Sequence, residues 1–214
     1  MTPPLVIDFN EAEHLYRVNG EVWPSVTQVL QRSGLIDFSG VPDYILRGAQ
    51  ARGTRVHRAA HFLTEGTLDW SSVSDEDKGY VEAAAQFLAD AKFDVCGQER
   101  RLAHGVHRYA GTCDIVGWWD GMQAVGDFKT GDPDDVAADL QLSAYGEALR
   151  YAPVPEWFDA TPTTPIALVS IRLFKDGRYS AELYRDPRAF SIFLACLTVV
   201  REQERRGKKG KVVA

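Results

Sequence analysis

Four short stretches hold residue types that hydrolytic chemistry needs: GTRVH at 53–57, GTCD at 111–114, DFK at 127–129 and QLSAY at 141–145. The third lies in the apolar run VGDFKTG, residues 125–131. Side chains alternate across a strand, so Asp127 and Lys129 share one face with Val125 while Phe128 points the other way. Asp114 is the charged residue of a second apolar run, and pairing of the two runs as adjoining strands could set it beside Asp127. Two carboxylates held that close invite a divalent cation. Mg²⁺ takes oxygen ligands at about 2.1 Å, and the backbone carbonyl of Phe128 could supply a third protein oxygen. Lys129, beside Asp127, could orient an attacking water and offset the negative charge that builds on a phosphoryl group.

Gln141 and Tyr145 fall one helical turn apart, so amide and phenol face the same way and could position either Lys129 or a substrate. His57 follows Gly53 by one turn on an earlier predicted helix, where a glycine would permit close approach of a neighbouring backbone or of DNA. An imidazole added to oxygen ligands makes Mn²⁺ acceptable alongside Mg²⁺. Arg52 and Arg55, with Arg47 and Arg58, could grip phosphates from the same helix. Each piece alone also has an ordinary structural explanation. Asp127 and Lys129 could be an exposed ion pair, Gln141 and Tyr145 a helix face, and the arginines solvated. His57 and His61 have zinc-pair spacing but no third ligand nearby and no HExxH context, which leaves His61 as a packed or surface imidazole. Cys113 has no histidine pattern to activate it and is expected to pack inward.

Taken together and in this order, the four stretches resemble the RecB-like branch of the PD-(D/E)XK nuclease superfamily, whose pattern is GxxxH, an acidic residue closing a Gly-containing strand, DxK, then QxxxY. The resemblance spans residues 53–145 and implies an α/β, restriction-endonuclease-like core: a central mixed β-sheet flanked by helices. It implies hydrolysis of DNA phosphodiester bonds with Mg²⁺ or Mn²⁺. By position it makes His57, Asp114 and Asp127 metal ligands alongside the Phe128 carbonyl already considered, Lys129 the catalytic lysine, Gln141 and Tyr145 the substrate-positioning pair, and Glu99 a possible accessory acid. There is no GxxxxGK[ST] loop, so no nucleotide cofactor or motor is implied, and the cysteine cluster of the iron–sulfur members is missing. What remains is similar to the compact stand-alone exonucleases of phage recombination modules. That likeness implies DNA recombination or repair, with a single-strand annealing protein as a possible partner and a homo-oligomer as a possible assembly. Two rival expectations are a nuclease-fold protein that binds nucleic acid or a partner without cutting, and an endonuclease.

The elements that must position these residues are readable along the chain. HLYRVNGEVW predicts a hairpin turning at Asn19-Gly20. Ser25 and Gln28 predict a capping box opening a short helix that stops at Gly34. A helical region is expected from Asp43 to Gly66, with Gly48 and Gly53 able to divide it, and another helix from about Asp75 to Lys92. Strands are expected at 99–103, 108–120 and 122–130 as an antiparallel meander. Asp132 and Pro133 should open a helix reaching about Arg150, followed by strands at 165–174 and 177–185 and a last helix from Pro187. The expected organisation is one nuclease domain over 1–205, hairpin plus mainly helical in 1–95 and sheet core in 96–205, with 206–214 a basic, flexible tail.

The chain has 214 residues, 45% hydrophobic, enough for one sizeable core, and a formal net charge of −6. An anionic partner must therefore meet a local basic patch. Cys96, Cys113 and Cys196 lack CxxC spacing, which argues against a zinc ribbon, an iron–sulfur cluster and a disulfide framework. No segment has the length of a membrane span and no charged start precedes an apolar run, so a cytoplasmic protein without membrane association is expected.

Overall fold

The computed structural model describes residues 5–131, 135–151 and 164–209. Three short strands come first, β1 (Ile7–Asn10), β2 (Leu15–Val18) and β3 (Glu21–Trp23), forming an antiparallel sheet in that order. Asn19 and Gly20 both have positive φ, as a tight hairpin turn requires, and Asn19 Oδ1 also accepts a hydrogen bond from Val6 N. The hairpin thus supplies two strands of a three-stranded sheet, and β1, too short to signal itself, completes it.

α1 (Val26–Arg32) opens on the capping box, with Ser25 Oγ accepting from Gln28 N and Gln28 Oε1 accepting from Ser25 N. α2 (Asp43–Thr64) is one helix of 22 residues, about 33 Å long, and Gly48 and Gly53 do not divide it. Each glycine costs a helix only about 1 kcal/mol relative to alanine, and burial of Val56, Ala59 and Ala60 holds the C-terminal half in place. α3 (Lys78–Asp90) follows a single 3₁₀ turn at Trp70–Ser72.

β4 (Phe93–His104), β5 (Tyr109–Trp119) and β6 (Met122–Lys129) form the expected antiparallel meander. β4 begins six residues earlier than its alternation suggests, because a register shift between Val95 and Gly97 disguises the period. α4 (Asp135–Leu149) then crosses over, and β7 (Ile166–Leu173) returns parallel to β6, with β8 (Tyr179–Tyr184) antiparallel at the edge. The caps expected at Asp132 and Pro133 lie outside the described residues. The sheet order is β4-β5-β6-β7-β8, so the protein is mixed α/β with a five-stranded mixed sheet flanked by helices.

α5 (Ala189–Lys209) runs through residues 206–209, where a flexible tail was expected. Glu202 bonds both Arg205 and Arg206, the turn-to-turn ion pairs that support an exposed helix end. One face of the large sheet packs on α1, α4 and α5 through Val116, Val125, Leu142, Tyr145 and Phe193. The other packs on α2 and α3 through Val56, Ala84, Phe87, Ile115 and Phe128. The small sheet rests on the β4–β5 end through Tyr16, Val18, Ala103 and Ala110. Among the described residues no helix is long and apolar enough to cross a membrane.

Candidate metal centre

Strand pairing itself creates the site. The β5–β6 ladder runs from Trp119↔Met122 to Ile115↔Gly126 and stops there, one step short of pairing Asp114 with Asp127. On the other side of β5, Gln98↔Ile115 and Arg100↔Cys113 are paired, and between them Glu99, at φ 43, faces Asp114 without pairing. Both ladders therefore open at one level. The side-chain alternation of β5 also changes there: Cys113 and Val116 face one core and Ile115 the other. Asp114 lies at the change and reaches into the gap.

The open ladder leaves the Phe128 peptide group without a strand partner on the β5 side, and a backbone group so placed must be satisfied another way. Asp114 Oδ2 accepts from Phe128 N at 2.6 Å. His57 Nε2 lies 2.9 Å from Phe128 O, and His57 Nδ1 lies 3.1 Å from Asp114 Oδ1. Both ring nitrogens thus face oxygen acceptors, an arrangement that suits the doubly protonated ring. Burial opposes that charge, but Asp114 outweighs it, with Asp127 adding to its effect, and the His57 pKa is raised to about 9. The imidazolium lies as a positive charge between the Asp114 carboxylate and the Phe128 carbonyl. A titration at the ordinary value near 6.5 is the sequence-based expectation, and the surrounding carboxylates move it upward.

Asp127 is 3% exposed. Its Oδ2 is buried, and the Lys129 ammonium lies against it as an ion pair. Burial raises the Asp127 pKa, partly countered by Lys129 and reinforced by Asp114. Asp114 is held in the opposite direction: His57 and the Phe128 amide overcome burial and lower its pKa. Asp127 and Lys129 face α4, where Lys129 Nζ donates to Gln141 Oε1 at 2.8 Å and Gln141 Nε2 donates to the Tyr145 hydroxyl at 3.0 Å. Burial, then Asp127, pushes the Tyr145 pKa well up, so the phenol stays protonated. With one direction of its ammonium set by Gln141 and another by Asp127, Lys129 retains a donor for a third oxygen.

Gly111 has a local reason to be glycine. A Cβ there would stand 2.6 Å from Tyr145 Cε1, so the ring that anchors Gln141 lies in the space a side chain would take. Gly53 is under no such constraint, since a Cβ would meet only Thr130 Oγ1 at 3.9 Å, an ordinary contact.

The other sequence-derived residues divide. Glu99, at the rim, shares a small open pocket with His57, His61, Gln98, Asp114 and Phe128. Partial burial raises the Glu99 pKa and Asp114 raises it further. His61, one turn after His57, also reaches this pocket, and its Nδ1 is buried without a hydrogen bond. The spacing of His57 and His61 is the sequence signal for that placement. Arg52 donates from Nη2 to Thr130 O and lies over the Tyr80 ring, just beyond Lys129. Arg55 turns away: it forms a two-point ion pair with the buried Asp77 at the start of α3 and approaches Glu76. The structure thus engages Arg55 in joining α2 to α3.

Among the described residues no three His, Cys, Asp or Glu side chains already surround a common point as a metal-binding group. His57 and Asp114 contact each other instead. The donor chemistry nonetheless fits a hard cation: two neighbouring carboxylates, a carbonyl outside the β5–β6 ladder, and an imidazole. His57, Asp114, Asp127 and the Phe128 carbonyl are the residues that would hold it. No protein-family model matches this chain, and no curated protein matches it.

The Gln141–Tyr145 relay makes a graded expectation. Gln141→Ala should lower kcat roughly 10- to 100-fold by freeing Lys129, and Tyr145→Phe should cost less, roughly tenfold, because it removes a support one bond further out. Melting temperatures and single-turnover rates on the same preparations check this. Equal losses explained by unfolding would return both residues to a packing role.

Proposed function

We propose that the protein is a divalent-metal-dependent deoxyribonuclease, an exonuclease that hydrolyses DNA phosphodiester bonds from ends. The observation that carries this reading is the gap between β5 and β6, where Asp114 holds the Phe128 peptide and lies near enough to Asp127 to raise its pKa, beside a lysine held by Gln141. Mg²⁺ or Mn²⁺ supplies Lewis-acid polarisation of a phosphoryl oxygen and a stronger water nucleophile. The protein's own part is positional and electrostatic. Asp114 and His57 grip the Phe128 peptide, Asp127 presents a buried charge, and Lys129 offers its remaining donor to a phosphoryl oxygen or to water as negative charge develops.

The β6–α4–β7 crossover beside an antiparallel meander supports a restriction-endonuclease-like core, and the family pattern of the four motifs supports RecB-like kinship. We place the protein in the cytoplasm, in DNA recombination or repair of the phage type, with a single-strand annealing protein as the class of partner such an exonuclease serves. The test is purified protein with end-labelled linear DNA, closed circular DNA and RNA, each with Mg²⁺, Mn²⁺ or EDTA. Metal-dependent loss of linear DNA with circular DNA and RNA intact is the expected result. Cutting of closed circles would make it an endonuclease, and tight binding without cutting under every metal would make it an inert nuclease-fold binder.

A further inference from the structure

We propose that Arg101 binds a DNA phosphate on the Glu99 side of the centre, one or two nucleotides from the bond being cut, with its guanidinium carried on the ring of Phe9. The proposal rests on the nuclease reading and gives the small N-terminal sheet a task within it.

Three observations converge on Arg101. It is exposed on β4 two residues after Glu99 and directly opposite Thr112, which is itself two residues before Asp114. Two residues of strand span about 6.7 Å, or roughly two nucleotide rises of 3.4 Å along DNA. Second, the side chain has a support. Its guanidinium lies 5.8 Å from the Phe9 ring centroid, the Phe9 ring packs against Tyr16 at 4.4 Å between centroids with the rings tilted by 31°, and the Tyr16 hydroxyl is 2.8 Å from Thr112 Oγ1. A cation over an aromatic face is held without losing its charge or its donor fork, which suits a phosphate. Tyr16 ties this support to the strand that bears Asp114. Burial raises its hydroxyl pKa and the Thr112 bond lowers it. Arg101 and Glu99 then act in opposite directions, which places both charges in one neighbourhood.

Third, the charge of Arg101 is not already used. Lys129 is ion-paired with Asp127, Arg55 is joined to Asp77, and Arg52 is bonded to Thr130 O. Among the described residues no carboxylate pairs with Arg101. A polyanion approaching Asp114, Asp127 and Glu99 in a protein of net charge −6 needs such a cation, since whole-molecule attraction is lacking.

The test uses fluorescently end-labelled linear DNA, with binding measured by anisotropy over a salt series in the Asp127→Asn background and kinetics in the otherwise unchanged protein. Arg101→Ala should weaken binding roughly tenfold and reduce the slope of log K against log salt by about 1, the signature of one lost phosphate contact. It should raise KM with little change in kcat. Arg101→Lys should recover the salt slope, and Arg178→Ala, on the far β7–β8 turn, should match the parent. A parent protein that binds and cuts DNA while Arg101→Ala keeps its slope and KM would overturn this proposal alone. A parent that neither binds nor cuts DNA in either metal would overturn the nuclease reading and this proposal with it.

Discussion

Asp127→Asn should abolish metal-dependent cleavage, by at least ~10³-fold, while the metal-free protein melts at the same temperature or higher. The two halves of this expectation have one cause. Asp127 is buried beside Asp114, and its folded-state pKa is raised. A group raised in this way favours folding most below its unfolded pKa and loses that contribution as pH rises through the folded value. At neutral pH the carboxylate therefore works against the fold, and a neutral amide of the same shape relieves it. Lys129→Ala should be equally inactive but melt lower, because it leaves Asp127 buried without its cation. Opposite changes in melting temperature with a shared loss of activity would distinguish a functional charge site from a structural ion pair. A pair that only stabilises would lose stability in both variants and retain its rate. Thermal melts at pH 7, with circular dichroism and cleavage of linear DNA on the same samples, measure all of these quantities.

The second large effect belongs to His57. To accept a metal its ring must be neutral, yet in the metal-free protein it is charged below a pKa of about 9. Binding Mn²⁺ should release close to one proton per site at pH 7, and apparent affinity should rise about tenfold per pH unit until about pH 9. Calorimetry in buffers of different ionisation enthalpy reads the proton directly. His57→Ala should weaken Mn²⁺ binding at least ~10-fold, remove that proton release and lower cleavage severely. The stability sign is the reverse of the binding sign. A His raised above its unfolded pKa of ~6.5 contributes stability that is complete below that value and lost as pH rises through about 9. The melting temperature of the metal-free protein should therefore fall across this window, and the fall should be smaller in His57→Ala. Unchanged Mn²⁺ affinity and rate in that variant would leave a centre of carboxylates alone.

Local chemistry carried much of the architecture in plain sight. Asn19-Gly20 adopts the positive-φ turn, Ser25 and Gln28 close the capping box, and the alternating runs around Asp114 and Asp127 form neighbouring strands. These depend on a few contiguous residues, whose preferences are expressed before any distant contact forms. The same is true of Gln141 and Tyr145, whose helical spacing by itself puts amide and phenol on one face. Where local preference was weak, packing decided. Gly48 and Gly53 were plausible breaks, yet the long helix runs through both, since a small backbone penalty is outweighed by burying its apolar face. β1 alternates over only four residues, Ile7–Asn10, too short a run to announce itself, and it is held by the edge that β2 offers.

The candidate centre shows the division most clearly. The sequence determined which groups are available: two carboxylates, a lysine, an imidazole, an amide and a phenol, in an order that resembles one nuclease pattern. Only the tertiary structure decided that the ladders open together at Glu99, Asp114 and Asp127, freeing the Phe128 peptide for Asp114 and His57. It also decided that Arg55 joins Asp77, while Arg101, which no motif marks, is supported by Phe9 beside the centre. A motif specifies side-chain types along one chain direction. Which backbone groups remain unpaired, and which charges find partners, depends on strands and helices brought together from distant parts of the chain.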